Sequence, residues 1–218
     1  IDKQCFLIMP TLYKKAGSRC LATLTPEQFA DGCGEVVKHA VIADPELFAE
    51  LEKTPLTLEL LNRDVARVAL IIARNIDIKR AVVVADERET NQRKLLNFGH
   101  SAGHAVEACE HFELGHGNCV SIGMGIITRA AALHGVCDAA LPGRIEELCA
   151  RHGLKTRCDL DVDAVFAEAL HDKKRAGDTI DLVIPHGIGR CSIDRTPLST
   201  FHELIAEGLG QKGDASAC

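Results

Sequence analysis

The densest run of polar chemistry in the chain extends from Glu89 to His104 and is followed, after a short gap, by Gly-His-Gly at positions 115 to 117. On a helix, His100 and His104 stand one turn apart and share a face, as do Arg93 and Asn97, so a cation, an amide and two imidazoles would line one wall of a cleft. The small residues Gly99, Ser101, Ala102 and Gly103 leave room there for a ligand or for another helix. A catalytic zinc-type site takes three protein ligands from imidazole and carboxylate groups and keeps a position open for water or substrate. His100, His116 and one carboxylate from a distant segment meet that requirement. Plain structural roles are available to the same residues. His116 can open a helix in a glycine turn, Glu35 can lie on a solvated helix face, and Lys38 and Lys79 can lay apolar stems over the surface.

The elements that must position these groups are mostly helical. Thr25-Pro-Glu-Gln28 is a capping box with proline at the first helical position, and it opens a helix running through EVVKHAVI. Asp44-Pro-Glu-Leu47 starts a second, with Leu47, Phe48 and Leu51 on one face. Apolar spacing through Leu60, Leu61, Val65, Val68, Ala69 and Ile72 predicts one long helix from Leu58 to about Lys79, and AVVVAD at 81–86 is either its end or a short strand. Glu89 to Glu110 is helical in pattern; Gly115 and Gly117 break it before an apolar helix from about Val120 to Leu133. Further helices fit Pro142–His152, Val162–Leu170 and Ser199–Leu209. TIDLVIP at 179–185 alternates as a strand does, HGIG supplies a turn, and RCSIDR is its hairpin partner. The expected fold is mainly α: one helical domain with a small β-hairpin near the C-terminus, and no glycine-rich strand-turn-helix of the dinucleotide-binding kind.

The chain has 218 residues and 46% apolar content, enough to fill a core. Its apolar runs fall short of the ~20 residues a membrane span needs, so no membrane segment is expected. A net charge of −6, spread over 31 acidic and 25 basic residues, offers no basic face for nucleic acid. Ten cysteines are scattered singly without a CxxC pair, which suits reduced, buried thiols in a cytoplasmic protein. PTLYKKAGS at 10–18 reads as a translated recombination-cloning site. Residues 1–20 are therefore expected to be cloning-derived or disordered, 21–210 to form the helical domain, and 211–218 to be a tail.

Five blocks carry a more specific signal: GEVVKHAVI from Gly34, IKRAVVVADERET from Ile78, RKLLNFGHSAGHAVE from Arg93, GHGNCVSIGM from Gly115 and DKKRAG from Asp172. In order and separation they resemble the signature blocks of the 3-dehydroquinate synthase family, over about residues 21 to 195. The resemblance implies the carboxyl-terminal, metal- and substrate-binding domain of a phosphate-eliminating lyase. Such enzymes close 3-deoxy-arabino-heptulosonate 7-phosphate into 3-dehydroquinate in the shikimate pathway, with catalytic NAD and a divalent metal, zinc or cobalt. It implies Glu35, His100 and His116 as metal ligands, and Lys38 as the lysine at the substrate hydroxyls. Lys79 and Arg93 become the carboxylate-binding pair, and Asn97, His104 and a lysine of Lys173-Lys174 the phosphate-side contacts. Glu89 becomes the acidic residue near His104.

Two departures stand out. His116-Gly117-Asn118 replaces the family's usual HGE, and the amino-terminal NAD half of the family is missing from these residues. The fragment is accordingly expected to lack cyclase turnover and tight NAD binding, and to associate as a dimer or larger species. A sister sugar-phosphate cyclase and a catalytically silent metal-binding helical domain remain the alternatives.

Overall fold

The computed structural model describes residues 21–86, 92–171 and 177–210. Helix α1 spans Pro26–Ala43 and begins with the full capping box, Thr25 and Gln28 each bonding the other's backbone N–H. Helix α2, Pro45–Lys53, is capped by the Asp44 carboxylate on the N–H of Leu47. The single helix expected from Leu58 onward is instead two, α3 at Leu58–Arg63 and α4 at Val65–Ala85. The break is at Asp64, whose N–H closes α3 on the Leu60 carbonyl while its carboxylate takes the N–H of Arg67. A short acidic side chain that bonds nearby backbone favours a cap over a helix interior. The β-branched run at 82–84 belongs to the last turns of α4, with no strand partner among the described residues.

A 3-10 helix covers Gln92–Asn97, followed by α5 at His100–Cys109, α6 at His116–Leu133, α7 at Leu141–Arg151 and α8 at Val162–His171. The expected hairpin forms from β1, Thr179–Gly187, and β2, Arg190–Pro197, in antiparallel register with Val183 opposite Ile193. Its tip is tied to the first helix by the Gly189 N–H on the Val41 carbonyl, 2.7 Å. Helix α9, Leu198–Leu209, closes the described chain.

Helix α6 is the centre of the fold. Val120, Ile122, Met124, Ile126, Ile127 and Ala130 are buried on every side of it, and α1, α5, α7, α9 and β1 all pack against it. A helix that is apolar all round can only be stable inside such a shell. Among the described residues no helix is long and apolar enough to cross a membrane.

Buried His152 joins α7 to the α2–α3 linker. Its Nδ1–H donates to the Leu148 carbonyl at 2.7 Å and its Nε2 accepts the Leu56 N–H at 3.0 Å. Both nitrogens are satisfied only in the neutral ring, and burial pushes its pKa below the ordinary 6.5. The unfolded chain therefore binds the extra proton first, so stability is present above pH 6.5 and is lost as pH falls below it. One such group contributes at most about 1.4 kcal/mol per pH unit. Urea unfolding below pH 6.5 should show this fall, with a shallower fall in His152→Gln. Parallel slopes for the two proteins would contradict the assignment.

Candidate metal centre

Three helices, α1, α5 and α6, bring the polar cluster together, and they do so through backbone contact. Gly34 of α1 lies against Gly117 of α6, where a Cβ on Gly34 would stand 2.6 Å from the Gly117 carbonyl oxygen and one on Gly117 1.8 Å from that of Asp31. The turn of α1 that carries Glu35 is thereby pressed onto the first turn of α6, which carries His116. Gly123 makes the matching contact with α5, since a Cβ there would lie 2.0 Å from the Gly99 carbonyl oxygen. The small residues of the sequence thus admit another helix. Gly99 also adopts φ 77°, a left-handed turn that sets the start of α5 at His100.

The apolar pattern suggested that α6 begins near Val120, yet it begins a turn earlier at His116. Its N-cap Gly115 has no side chain to offer, and Asp31 of α1 supplies the missing acceptor, Oδ1 taking the N–H of Asn118 at 3.0 Å. A carboxylate at a helix N-terminus is favoured by the helix dipole. Asn118 is bound into this joint by its side chain as well. Its Oδ1 accepts the Lys155 N–H at 2.9 Å and its Nδ2 is 3.4 Å from Asp31 Oδ1.

His100, His104 and His116 converge, with ring centroids 5.2, 5.2 and 5.6 Å apart pairwise. One nitrogen from each lies within 4.8 Å of the others, the one such ligand cluster among the described residues. Glu35 completes the group. Its Oε2 accepts from buried Lys38 Nζ at 2.7 Å, and its Oε1 is 3.6 Å from His100 Nε2. That Oε1 is shielded from solvent and has no hydrogen-bond donor among the described residues. Burial, the largest single influence, would raise the Glu35 carboxyl, but the charges of Lys38, His100 and His39 together with the Lys38 hydrogen bond outweigh it and hold the group at about 2. Burial, reinforced by Lys38, pushes His100 down to about 3, so the ring is neutral. Its Nδ1 is 3.2 Å from the Phe98 carbonyl, which can only accept, so the hydrogen sits on Nδ1 and the lone pair on Nε2. Lys38 itself is held below the usual lysine range by burial, with Lys79 adding to the effect and Glu35 opposing it.

The remaining expected residues divide. Lys79 lies on α4 within electrostatic reach of Lys38 and His39. Arg93 and Asn97 do not share an α-helical face, because their segment is a 3-10 helix in which residues four apart sit a third of a turn from each other. The tighter coil lets the chain turn from α4 into α5 while Phe98 is buried and the Arg93 N–H bonds Asp86 Oδ2. Glu89, Lys173 and Lys174 lie outside the described residues. Sequence reasoning missed Asp31, buried His39 with its Nδ1 on Asn75 Oδ1, and Glu107, 3.2 Å from His116 Nδ1. Only Glu107 had left a signal, the i, i+4, i+7 spacing His100, His104, Glu107. The seven described cysteines are free, and burial pushes the Cys33, Cys119, Cys149 and Cys191 thiols up to about 12.

Residues 32–175 match the family model for 3-dehydroquinate synthase C-terminal. The chain belongs to that family. A 3-dehydroquinate synthase of Streptococcus suis (strain 05ZYH33) is 37% identical over 187 residues, 85% of this chain and 52% of the relative. One of Acetivibrio thermocellus is 39% identical over 179 residues, 80% and 49% of the two chains. The chain thus spans about half the length of the curated relatives it matches. The fold is shared with 2-epi-5-epi-valiolone synthase of Streptomyces hygroscopicus subsp. jinggangensis 5008, solved with NAD+ and Zn2+, at TM-score 0.76, 24% identity and coverage of 88% and 54%. It is shared as well with a 2-deoxy-scyllo-inosose synthase solved with carbaglucose-6-phosphate, NAD+ and Co2+, at TM-score 0.71, 22% identity and coverage of 88% and 56%.

The family member's own Asn118 is matched to Asp31. Asn118→Glu should remove the Nδ2–H donor toward Asp31 Oδ1, set a second carboxylate beside it, and cost about 1–3 kcal/mol in urea unfolding. Adding Asp31→Asn should recover part of the loss; a double variant less stable than the sum of the two singles would contradict the coupling.

Proposed function

We propose that this chain is the metal- and substrate-binding half of a 3-dehydroquinate synthase, the enzyme that closes 3-deoxy-arabino-heptulosonate 7-phosphate into 3-dehydroquinate with release of phosphate. The observation that carries the proposal is the unpartnered, buried Oε1 of Glu35 beside the bare Nε2 of neutral His100, inside the matched segment. Leaving a charged oxygen buried without a donor is costly, and a divalent cation relieves it. The donor set of one carboxylate and imidazoles fits zinc or cobalt. In this proposal Glu35, His100 and His116 hold the metal. When bound, it supplies a Lewis acid that lowers the pKa of a coordinated substrate hydroxyl.

The chain's own residues do the rest. Lys38 Nζ, buried and fixed on Glu35 Oε2, is a point charge beside the substrate hydroxyls. Lys79 and Arg93 bind the substrate carboxylate, Arg93 with a two-pronged donor geometry that lysine cannot reproduce. Asn97, His104 and a lysine of Lys173-Lys174 bind the phosphate side, and Glu89 orients His104. The chain spans about half the length of its relatives, and in this proposal NAD is bound chiefly by the other half, so that these 218 residues by themselves take up metal without turnover. Its setting is the cytoplasm, consistent with the free thiols, and its assembly a homodimer, to be read by light scattering.

Metal analysis after loading should give one zinc or cobalt per wild-type chain and none in His100→Ala or His116→Ala, while Arg93→Lys keeps its metal. Normal metal in either histidine variant would refute the ligand set. The activity is tested by growth of a strain lacking 3-dehydroquinate synthase on the intact gene, with the NAD-binding half included. No growth, with product formed from another sugar phosphate, would assign a sister cyclase instead.

A further inference from the structure

Glu107 lies seven residues after His100 and three after His104, so all three share one side of α5. Its Oε2 is 3.2 Å from Nδ1 of His116, the first residue of the next helix. Both side chains are largely shielded, 21% and 14% exposed. An ionised carboxylate can only accept, so the contact requires the hydrogen of His116 on Nδ1 and, in the neutral ring, leaves the lone pair on Nε2.

We propose that Glu107 is the positioning residue that holds His116 as its Nδ1–H tautomer and presents Nε2 to the divalent cation. The proposal rests on the metal reading above. His100 is set in the same sense by a different acceptor, the Phe98 carbonyl at 3.2 Å. Two imidazoles from two helices thus offer the same nitrogen, each oriented from behind. The acceptor of His116 is anionic, which also makes that ring the stronger donor to a cation. Closing the α5–α6 connection does not need this side chain. The connection is held by main-chain bonds of Glu110 to Val106, His111 to Ala108, Phe112 to Glu107 and Glu113 to Glu110.

Long-range proton–nitrogen NMR of the metal-free chain, at mildly alkaline pH where imidazoles are neutral, reads the tautomer directly. His116 should be the Nδ1–H form, and a dominant Nε2–H form would overturn the proposal. In parallel, zinc competition and the visible spectrum of the cobalt-loaded chain are measured for wild type, Glu107→Ala and Glu107→Gln. Glu107→Ala should bind roughly 10–100-fold more weakly with displaced cobalt bands. Glu107→Gln, whose amide oxygen still accepts from Nδ1, should recover most of the affinity. Wild-type affinity and spectrum in Glu107→Ala would overturn the positioning role alone, whereas a wild-type chain that takes up no cation would overturn the metal reading beneath it. If Glu107→Ala does not fold, the wild-type tautomer and the Glu107→Gln titration decide.

Discussion

Two places where helix backbones touch govern the geometry of the site: Gly34 on Gly117, and Gly123 on Gly99. Helices separated by ordinary side chains stand about 8–10 Å apart. At that spacing a glutamate on α1, two histidines on α5 and one on α6 would be divided by intervening side chains. Glycines at the crossings remove that layer, so the turn bearing Glu35 and the turn bearing His116 meet directly, and α5 lies in the groove of α6. Asp31 then supplies the acceptor that the glycine cap of α6 lacks. Close approach and helix start are therefore parts of one joint, and every ligand position depends on it.

That joint holds an arrangement that is costly without a cation. A buried lysine is paired to one oxygen of Glu35, the other oxygen has no donor among the described residues, and His100 beside it is held neutral. Burying polar groups in this state opposes folding, and the core around α6 offsets it. The same features favour metal: the carboxylate stays ionised, the imidazole lone pair of His100 is bare, and Lys38 limits the net negative charge. Desolvation by the packed helices creates the cost and keeps His100 neutral, while the charge of Lys38 helps keep the carboxylate ionised.

Much of the fold is legible in the sequence because its signals are local. The capping box at Thr25, the Asp44 cap and the strand alternation at 179–185 each describe a few adjacent residues, and each appears in the structure. The break at Asp64 was hidden because the apolar spacing continues through it, while the deciding bond is a side-chain cap. The 3-10 helix at 92–97 was hidden because its conformation follows from the turn between α4 and α5. The site divides in the same way. His100 and His104 declare themselves by spacing, whereas Glu35 could be joined to them only through resemblance to a known family. Asp31 and Asn118, 87 residues apart, have no sequence periodicity that links them. Asn118 illustrates the limit: the sequence shows it only as a departure from the family's usual glutamate, and its bonds to Asp31 and to the backbone at Lys155 leave no local signal.

The central claim is that Glu35, not His104, completes the ligand set with His100 and His116. Both lie close enough to be rivals, since the three imidazole nitrogens converge within 4.8 Å while Glu35 Oε1 stands 3.6 Å from His100. Anomalous scattering at the zinc edge from crystals of the zinc-loaded chain decides between them. The account predicts a single peak bonded to Glu35 Oε1, His100 Nε2 and His116 Nε2, with the His104 ring outside bonding distance. A peak coordinated by the three imidazoles with Glu35 still held only by Lys38 would contradict it.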